Sequence, residues 1–476
     1  MRRTLLPKAL ALGAIGLLTL PSLALAQDDG IETVSTQLND VWIIVTACLV
    51  LFMQAGFLGL ELGFSRGKSV GSGVAKIAVN LAIASIMWWL IGYGIAFGGD
   101  GAFWGTSGFL FQNGRDVAGE AANNSTLTFF VFQFTFAAVS LAIVWGSTLE
   151  RIKFSAYPLF AIPFAAVLYP IVAHWSWGGG WLSTFGGGVQ DFAGSGVVHL
   201  TGATAALAAT LVLGARKGKY GPDGKPRAIP GHSMPIFGFG VLILWLGWFG
   251  FNGGSTLGTA DSAFGHVIAV TNLGAAGGVI GALIMVRLVM KTLDVGMIGN
   301  GAIAGLVAIT APSGYVEMWA APIIGLIGGF IVVVGVVTID KFIDDPVGAT
   351  SAHGLAGIWG TLSCGLFASP RLILEGQHAG LFYGDGFQQL GVQAVATIAT
   401  FAFVFTCSFA LFMLIKVTVG LRVTEAEEDA GLDISEHGMY GYPEQFIPAP
   451  ELVGYAPSPA VAASSAVPTS KEVPAT

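Results

Sequence analysis

Charge is scarce in this chain. Only 10% of its 476 residues are Asp, Glu, Lys or Arg, while 54% are hydrophobic, and so few ionisable side chains cannot cover a soluble surface of that size. The scarcity excludes an ordinary soluble domain and makes the chain a polytopic membrane protein. Cysteine is scarcer still: Cys48, Cys364 and Cys407 all fall inside apolar segments and form neither a metal-ligand spacing nor a disulfide framework. No nucleophile is set beside a base by the sequence, so nothing points to an enzyme. The net charge of -7 argues against nucleic acid. What the chain has in quantity is glycine, 69 residues, which suits helices that approach closely through small side chains.

The first residues, MRRTLLPKAL followed by a short apolar run and Ala24-Leu25-Ala26, have the charged, hydrophobic and small-residue regions of a secretory signal. Cleavage is expected after Ala26, giving a signal peptide over 1–26 and an extracytoplasmic segment over 27–40. Apolar segments long enough to cross a membrane then fall at about 41–64, 75–98, 126–149, 155–174, 191–214, 234–253, 262–290, 296–312, 318–339, 346–368 and 388–418. That is eleven crossings over a domain of 41–420, an odd number, so an N-terminus outside puts the C-terminus in the cytoplasm. Lys and Arg crowd one set of loops, with Arg66, Lys68, Arg151, Lys153, the stretch Arg216 to Arg227, Arg287, Lys341 and Arg422 among them, and only Arg115 and Arg371 fall on the other side. The positive-inside rule makes the crowded side cytoplasmic. After Leu421 an acidic stretch, EAEEDAGLDISEHG, is expected to form a cytoplasmic tail over 421–447, and a Pro/Ala/Ser-rich end over 448–476 reads as disordered.

Two stretches share a spacing. In DFAGSGVVH, Asp191 stands eight residues before His199, and in DDPVGATSAH, Asp345 stands eight before His353. Eight helical residues advance about 12 Å, which carries a histidine near the midplane of a ~30 Å hydrocarbon core. The proposed topology makes the two helices antiparallel. Crossings 1 to 5 and 6 to 10 are then two inverted halves meeting at a polar site, with a C-terminal helix added. An ionisable side chain at that depth is a functional candidate, although two histidines can also merely satisfy interhelical hydrogen bonds. A pair of imidazoles offers too few ligands for zinc. Asp191 and Asp345 suit helix caps. Near the outer face, Trp177 in HWSWGGGW offers an indole face to an ammonium-type cation, and Ser255 in GWFGFNGGS a hydroxyl acceptor; an aromatic belt is the plainer reading of Trp177. Phe136 and Phe251 fit a pore or the lipid equally. Glu61 and Glu150, beside Arg66 and Arg151, read as paired or snorkelling.

DFAGSGVVH, GWFGFNGGS, GAIAGLV, DDPVGATSAHG and GLRV followed by GLDISEHG resemble the ammonium transporter family, the Amt/Mep/Rh group of bacterial Amt type, over about residues 41–440. The resemblance implies a homotrimer in the cell inner membrane, each protomer with its own ammonium/ammonia path and no cofactor. His199 and His353 match the family's pore histidines and Asp191 its essential acid. Phe136 and Phe251 match the gate, and Trp177, Ser255 and Phe136 the outer recruitment site. It also implies a P-II-type nitrogen regulatory protein docking at the cytoplasmic face. Ser195 departs from the pattern, standing where a second glycine is expected, and the loop from Trp177 to Asp191 is longer. The function so expected is inward ammonium transport: NH4+ is captured outside, deprotonated and passed through a hydrophobic pore. The rival class is an ammonium sensor signalling through its tail.

Overall fold

A computed structural model describes residues 29–111 and 124–446. The expected signal peptide, Arg115 and the Pro/Ala/Ser-rich end lie outside the described residues. The described chain is helix and loop with no strand, only isolated bridges such as Ile152 to Arg422. We number the principal helices α1 (Asp29–Phe64), α2 (Val70–Met87), α3 (Asn124–Gly146), α4 (Ala156–Pro163), α5 (Thr201–Leu213), α6 (Met234–Gly254), α7 (Ala263–Val289), α8 (Val295–Thr310), α9 (Ala320–Ile339), α10 (Ala356–Phe367) and α11 (Gln388–Thr418). Four π-turns extend some of these: Trp88–Gly92 after α2, Phe164–Leu168 after α4, Ser195–Leu200 before α5 and Thr350–Leu355 before α10.

Among the described residues nine helices are long and apolar enough to cross a membrane; α8 is shorter, with 16 residues, and α10 is not among the nine. The protein is a multi-pass membrane protein. Phe239, Leu242, Leu288, Ile398 and Val417 stand exposed along the bundle's outside, a distribution costly in water and natural against lipid. Close approach inside the bundle depends on absent side chains: a Cβ on Gly278 would collide with the Gly301 carbonyl of α8, and one on Gly329 of α9 with the Gly278 carbonyl. Helices α7, α8 and α9 therefore pack backbone to backbone.

The π-turn after α4 has a local cause. Pro163 and Pro170 bracket it, and each lacks the N–H that a regular α-helix needs. Gly92, in the π-turn after α2, lies against the Ala165 carbonyl and the Pro170 ring, so the two bulges face each other.

Three boundaries differ from the sequence reading. Helix α1 starts at Asp29, inside the expected extracytoplasmic segment. Helical winding leading into α5 starts at Ser195, not at Asp191, because Gly194 is left-handed with φ +106° and breaks the chain there. The winding into α10 starts after Gly348, φ +73°, not at Asp345. Each histidine therefore lies within about one turn of its helix start, not eight helical residues inside. The residues between each aspartate and its histidine begin as a non-helical turn and wind only afterwards.

The two histidine helices lie antiparallel. Asp344, just before α10, bonds Arg216, just after α5. At the other end, Gln393 of α11 donates both to the Gln190 carbonyl, before α5, and to the Thr361 carbonyl inside α10.

Candidate functional site

A vestibule of about 340 Å³ opens among Phe97, Phe132, Gln133, Phe136, Trp177, Asp191, Ser255 and Tyr315. Trp177 is the last residue of the helix Tyr169–Trp177 and donates its indole N–H to the Asp191 carbonyl at 2.8 Å, which fixes the ring edge-on to Phe136 at 6.1 Å between centroids. Ser255 caps the C-terminus of α6 and donates its hydroxyl hydrogen to the Phe251 carbonyl at 2.8 Å. With that hydrogen committed, its oxygen lone pairs remain to accept from a donor in the vestibule.

Phe136 lines the vestibule, and Phe251 lies against it. Both are buried and stack at 4.1 Å between centroids. Below Phe251, at 5.4 Å, lies the ring of His199, which also stacks on Trp248 at 5.0 Å. The Trp248 indole N–H donates to the Thr310 hydroxyl at 2.8 Å and so holds the wall behind the histidine. His199 and His353 meet Nδ1 to Nδ1 at 3.2 Å. One ring nitrogen must donate and the other accept, so the pair holds at least one shared proton. His199 is 0% exposed and its Nε2 has no hydrogen-bond partner among the described residues. His353, 5% exposed, borders a second and far smaller cavity of about 20 Å³, lined also by Phe57, Glu61, Ile143, Asn300 and Val347.

Gly194, not Asp191, occupies the N-cap position, but the Asp191 carboxylate caps the free N–H groups of the winding's first turn and bridges the turn before it. Its Oδ1 accepts from Gly194 N at 2.9 Å, and its Oδ2 from Gly196 and Val197 N at 3.0 and 2.9 Å. Asp345 does the parallel work with one backbone bond, Thr350 N to Oδ2 at 2.7 Å, while Oδ1 accepts from the Ser147 hydroxyl of the α3 end at 2.9 Å. Ser195, the departure from the glycine pattern, is absorbed by packing. Its hydroxyl donates to the Val307 carbonyl at 2.6 Å and accepts from Ala311 N at 2.7 Å, tying the start of the winding to α8. The loop after Trp177 folds into a short helix, Trp181–Thr184, and three glycines of positive φ, Gly186 to Gly188.

The ion pairs differ from the sequence reading. Glu150, not Glu61, pairs with Arg66, accepting from its backbone N at 2.6 Å and its Nε at 2.5 Å. Among the described residues Arg151 pairs with no glutamate, and it donates to the Leu149, Gly214 and Asp344 carbonyls. Glu61 lies inside α1, whereas Arg66 stands beyond the end of that helix in extended backbone, so helical spacing does not bring the two together. Glu61 is a lining residue that the sequence reading missed. Gln133, with a buried Oε1 lacking a partner among the described residues, is a second lining residue that reasoning missed; nothing in its local sequence marked it.

On the end that carries Arg66, Arg151 and Arg216, residues 421–446 wrap back across the bundle. A capping box at Thr424 starts the helix Glu425–Ala430. Glu428 accepts from Arg422 at 2.7 Å and from Lys217 N at 2.6 Å, and Asp433 accepts from Ser72 N at 2.9 Å. Beneath it, the carboxyl of loop residue Asp344 would be raised by its burial, but hydrogen bonds and charge from Arg216 and the Arg151 charge outweigh that and bring it down to about 2.

These features define a multi-pass helical membrane protein with paired histidines at its centre. The chain belongs to the Ammonium Transporter Family, whose model matches residues 41–442; members are transporters or channels, and this protein is not an enzyme. It is 43% identical over 444 residues to ammonium transporter Amt2 of Archaeoglobus fulgidus, covering 90% of this chain and 93% of that one. It is 37% identical to the ammonium transporter of Bacillus subtilis, covering 85% and 99%. Among solved structures it resembles a sensor Amt protein, with TM-score 0.79, 36% identity, and 85% and 100% of the two chains covered. It also resembles Candida albicans Mep2, with TM-score 0.73 and 28% identity over 82% and 87%.

Proposed function

We propose that the protein carries ammonium inward: NH4+ is held at Trp177 and Ser255, passes the Phe136 and Phe251 stack, and loses a proton before the histidines. The observation that carries this reading is the unbroken series from the vestibule through stacked phenylalanines to a bonded imidazole pair. An indole face and a hydroxyl acceptor suit a small cation with N–H bonds. From the phenylalanine stack to the imidazoles the neighbours are the buried aromatics Phe251 and Trp248, and stripping the water from an ion there is costly. Ammonium escapes that cost by giving up a proton; potassium has none to give. The imidazole pair then relays the proton and offers neutral ammonia a polar foothold. Asp191 acts by shaping the turn that carries His199, with its charge at the vestibule wall.

The same reading takes eleven crossings in two inverted halves plus α11, the N-terminus outside, the basic end cytoplasmic, and an inner-membrane homotrimer. Residues 421–447 are then a regulatory tail on which a P-II-type protein docks; the acidic tail clasped to Lys217 and Arg422 supports this. The test is ammonium-evoked current in proteoliposomes with potassium as competitor. A saturable current that potassium does not reduce is expected. Ammonium binding without flux favours the sensor reading, to which the likeness to the sensor Amt protein lends some support.

A further inference from the structure

The 20 Å³ cavity beyond His353 has room for about one small molecule. Its polar lining is sparse. Asn300 spends one of its two amide N–H bonds on the Val347 carbonyl at 3.0 Å, and His353 engages His199 through Nδ1, so Nε2 is the nitrogen left to meet a guest. The one carboxyl in the lining is Glu61, 1% exposed, whose Oε2 has no hydrogen-bond partner among the described residues. The carboxyl lies beside Gly146, where a Cβ would approach its Oε1 to 3.6 Å and collide with Val347. The titratable groups packed around it from other elements are Lys76 of α2, within electrostatic reach, Tyr157 of α4, whose hydroxyl donates to the Lys76 carbonyl at 2.8 Å, and His353 across the cavity.

A lone carboxyl buried at such a place is costly unless it has work to do or is neutralised. We propose that Glu61 is the inner proton donor of the path, returning to ammonia the proton that the histidine pair carries. The inference rests on the transport reading above. The step balances. Outside, NH4+ yields NH3 and a proton that passes to the imidazole pair. The pair passes that proton to the Glu61 carboxylate. The Glu61 O–H bond then breaks as the ammonia lone pair takes the proton, forming NH4+ and restoring the carboxylate. Lys76 steadies the carboxylate between turnovers, and the product cation leaves toward the basic end.

The experiment uses the full chain in proteoliposomes loaded with a pH dye, recording ammonium-evoked current and lumenal pH together for wild type, Glu61→Gln and Glu61→Asp. Glu61→Gln should lower the current by about tenfold or more, and the surviving flux should become alkalinising, because emerging ammonia then takes its proton from the lumen. Glu61→Asp should recover part of the current. If Glu61→Gln loses both signals, Glu61→Asp decides: recovered current upholds the carboxyl's role, and silence in a protein of unchanged thermal stability overturns it. An unchanged Glu61→Gln current also overturns it, as does a wild-type flux that is alkalinising and currentless. Wild type with neither current nor pH change removes the transport reading itself, whereas wild-type current with an indifferent Glu61→Gln removes only this inference.

Discussion

The chain enters its two histidine helices by similar routes and secures them by different chemistry. Before each aspartate stands a polar residue, Gln190 ahead of Asp191 and Asp344 ahead of Asp345. Gln190 is held by neutral amides: its N–H donates to Gln393 at 2.9 Å, its carbonyl accepts from Gln393 at 2.7 Å, and its side chain donates to the His378 carbonyl at 2.9 Å. Asp344 is held ionically, accepting from the Arg216 backbone N, Nε and Nη2 at 2.8 to 2.9 Å. The next residues reverse the emphasis. Asp191 spends both oxygens on the turn of its own helix, whereas Asp345 divides them between its helix and Ser147. The end next to the vestibule is thus secured by neutral amides, and the basic end by an ionic lock.

Substitutions that break this contrast should fall in a definite order. Asp344→Asn leaves buried Arg216 with only the looser 3.9 Å contact to Glu150 as counterion, a loss approaching about 3 kcal/mol, seen as a fall in thermal stability of the purified protein. The lock also sets an acid limit. Because the folded Asp344 carboxyl is depressed to about 2, its contribution is complete above the ordinary aspartate range near 4 and is lost as pH falls through about 2; Asp344→Asn should flatten that part of the stability profile.

Of similar size is Asp191→Ala, which strips acceptors from three buried N–H groups and should cost about 2 to 4 kcal/mol, with loss of transport because the turn no longer fixes His199. Asp345→Ala loses one backbone bond and one hydroxyl bond, and about 1 to 2 kcal/mol is expected. Equal costs for the two aspartates would contradict the division of labour. The smallest effect is Trp177→Leu, which removes a cation–π contact of about 0.5 to 2 kcal/mol and should weaken capture at low ammonium while sparing the saturated rate. An unchanged concentration dependence would return Trp177 to the role of membrane anchor.

The Asp-to-His repeat was legible because spacing survives without knowledge of where helices begin. What the spacing concealed was the route: Gly194 and Gly348 delay the winding, so the aspartates act across a non-helical turn before π-turns that no periodicity marks. Apolar length similarly located the helices, yet α1 continues back to Asp29 through polar residues that a hydropathy window ends before. The contact between the two imidazoles follows from antiparallel helices meeting at one depth. The partner of Glu150 did not follow, since the arginine it meets, Arg66, stands 84 residues away in the connection after α1. Gln133 and Trp248 become site residues only through what they face.

The central claim is that the histidine pair separates a cation able to shed a proton from one that cannot. The direct measurement is potassium current through His199→Asp in proteoliposomes, beside ammonium current in the same preparation. Exchanging the imidazole for a carboxylate supplies a fixed charge where a neutral ring stood. The account predicts that potassium then carries current and competes with ammonium, while wild type excludes it. A His199→Asp protein that is folded, carries ammonium and still rejects potassium would contradict the account and move selectivity to the vestibule or the phenylalanine stack.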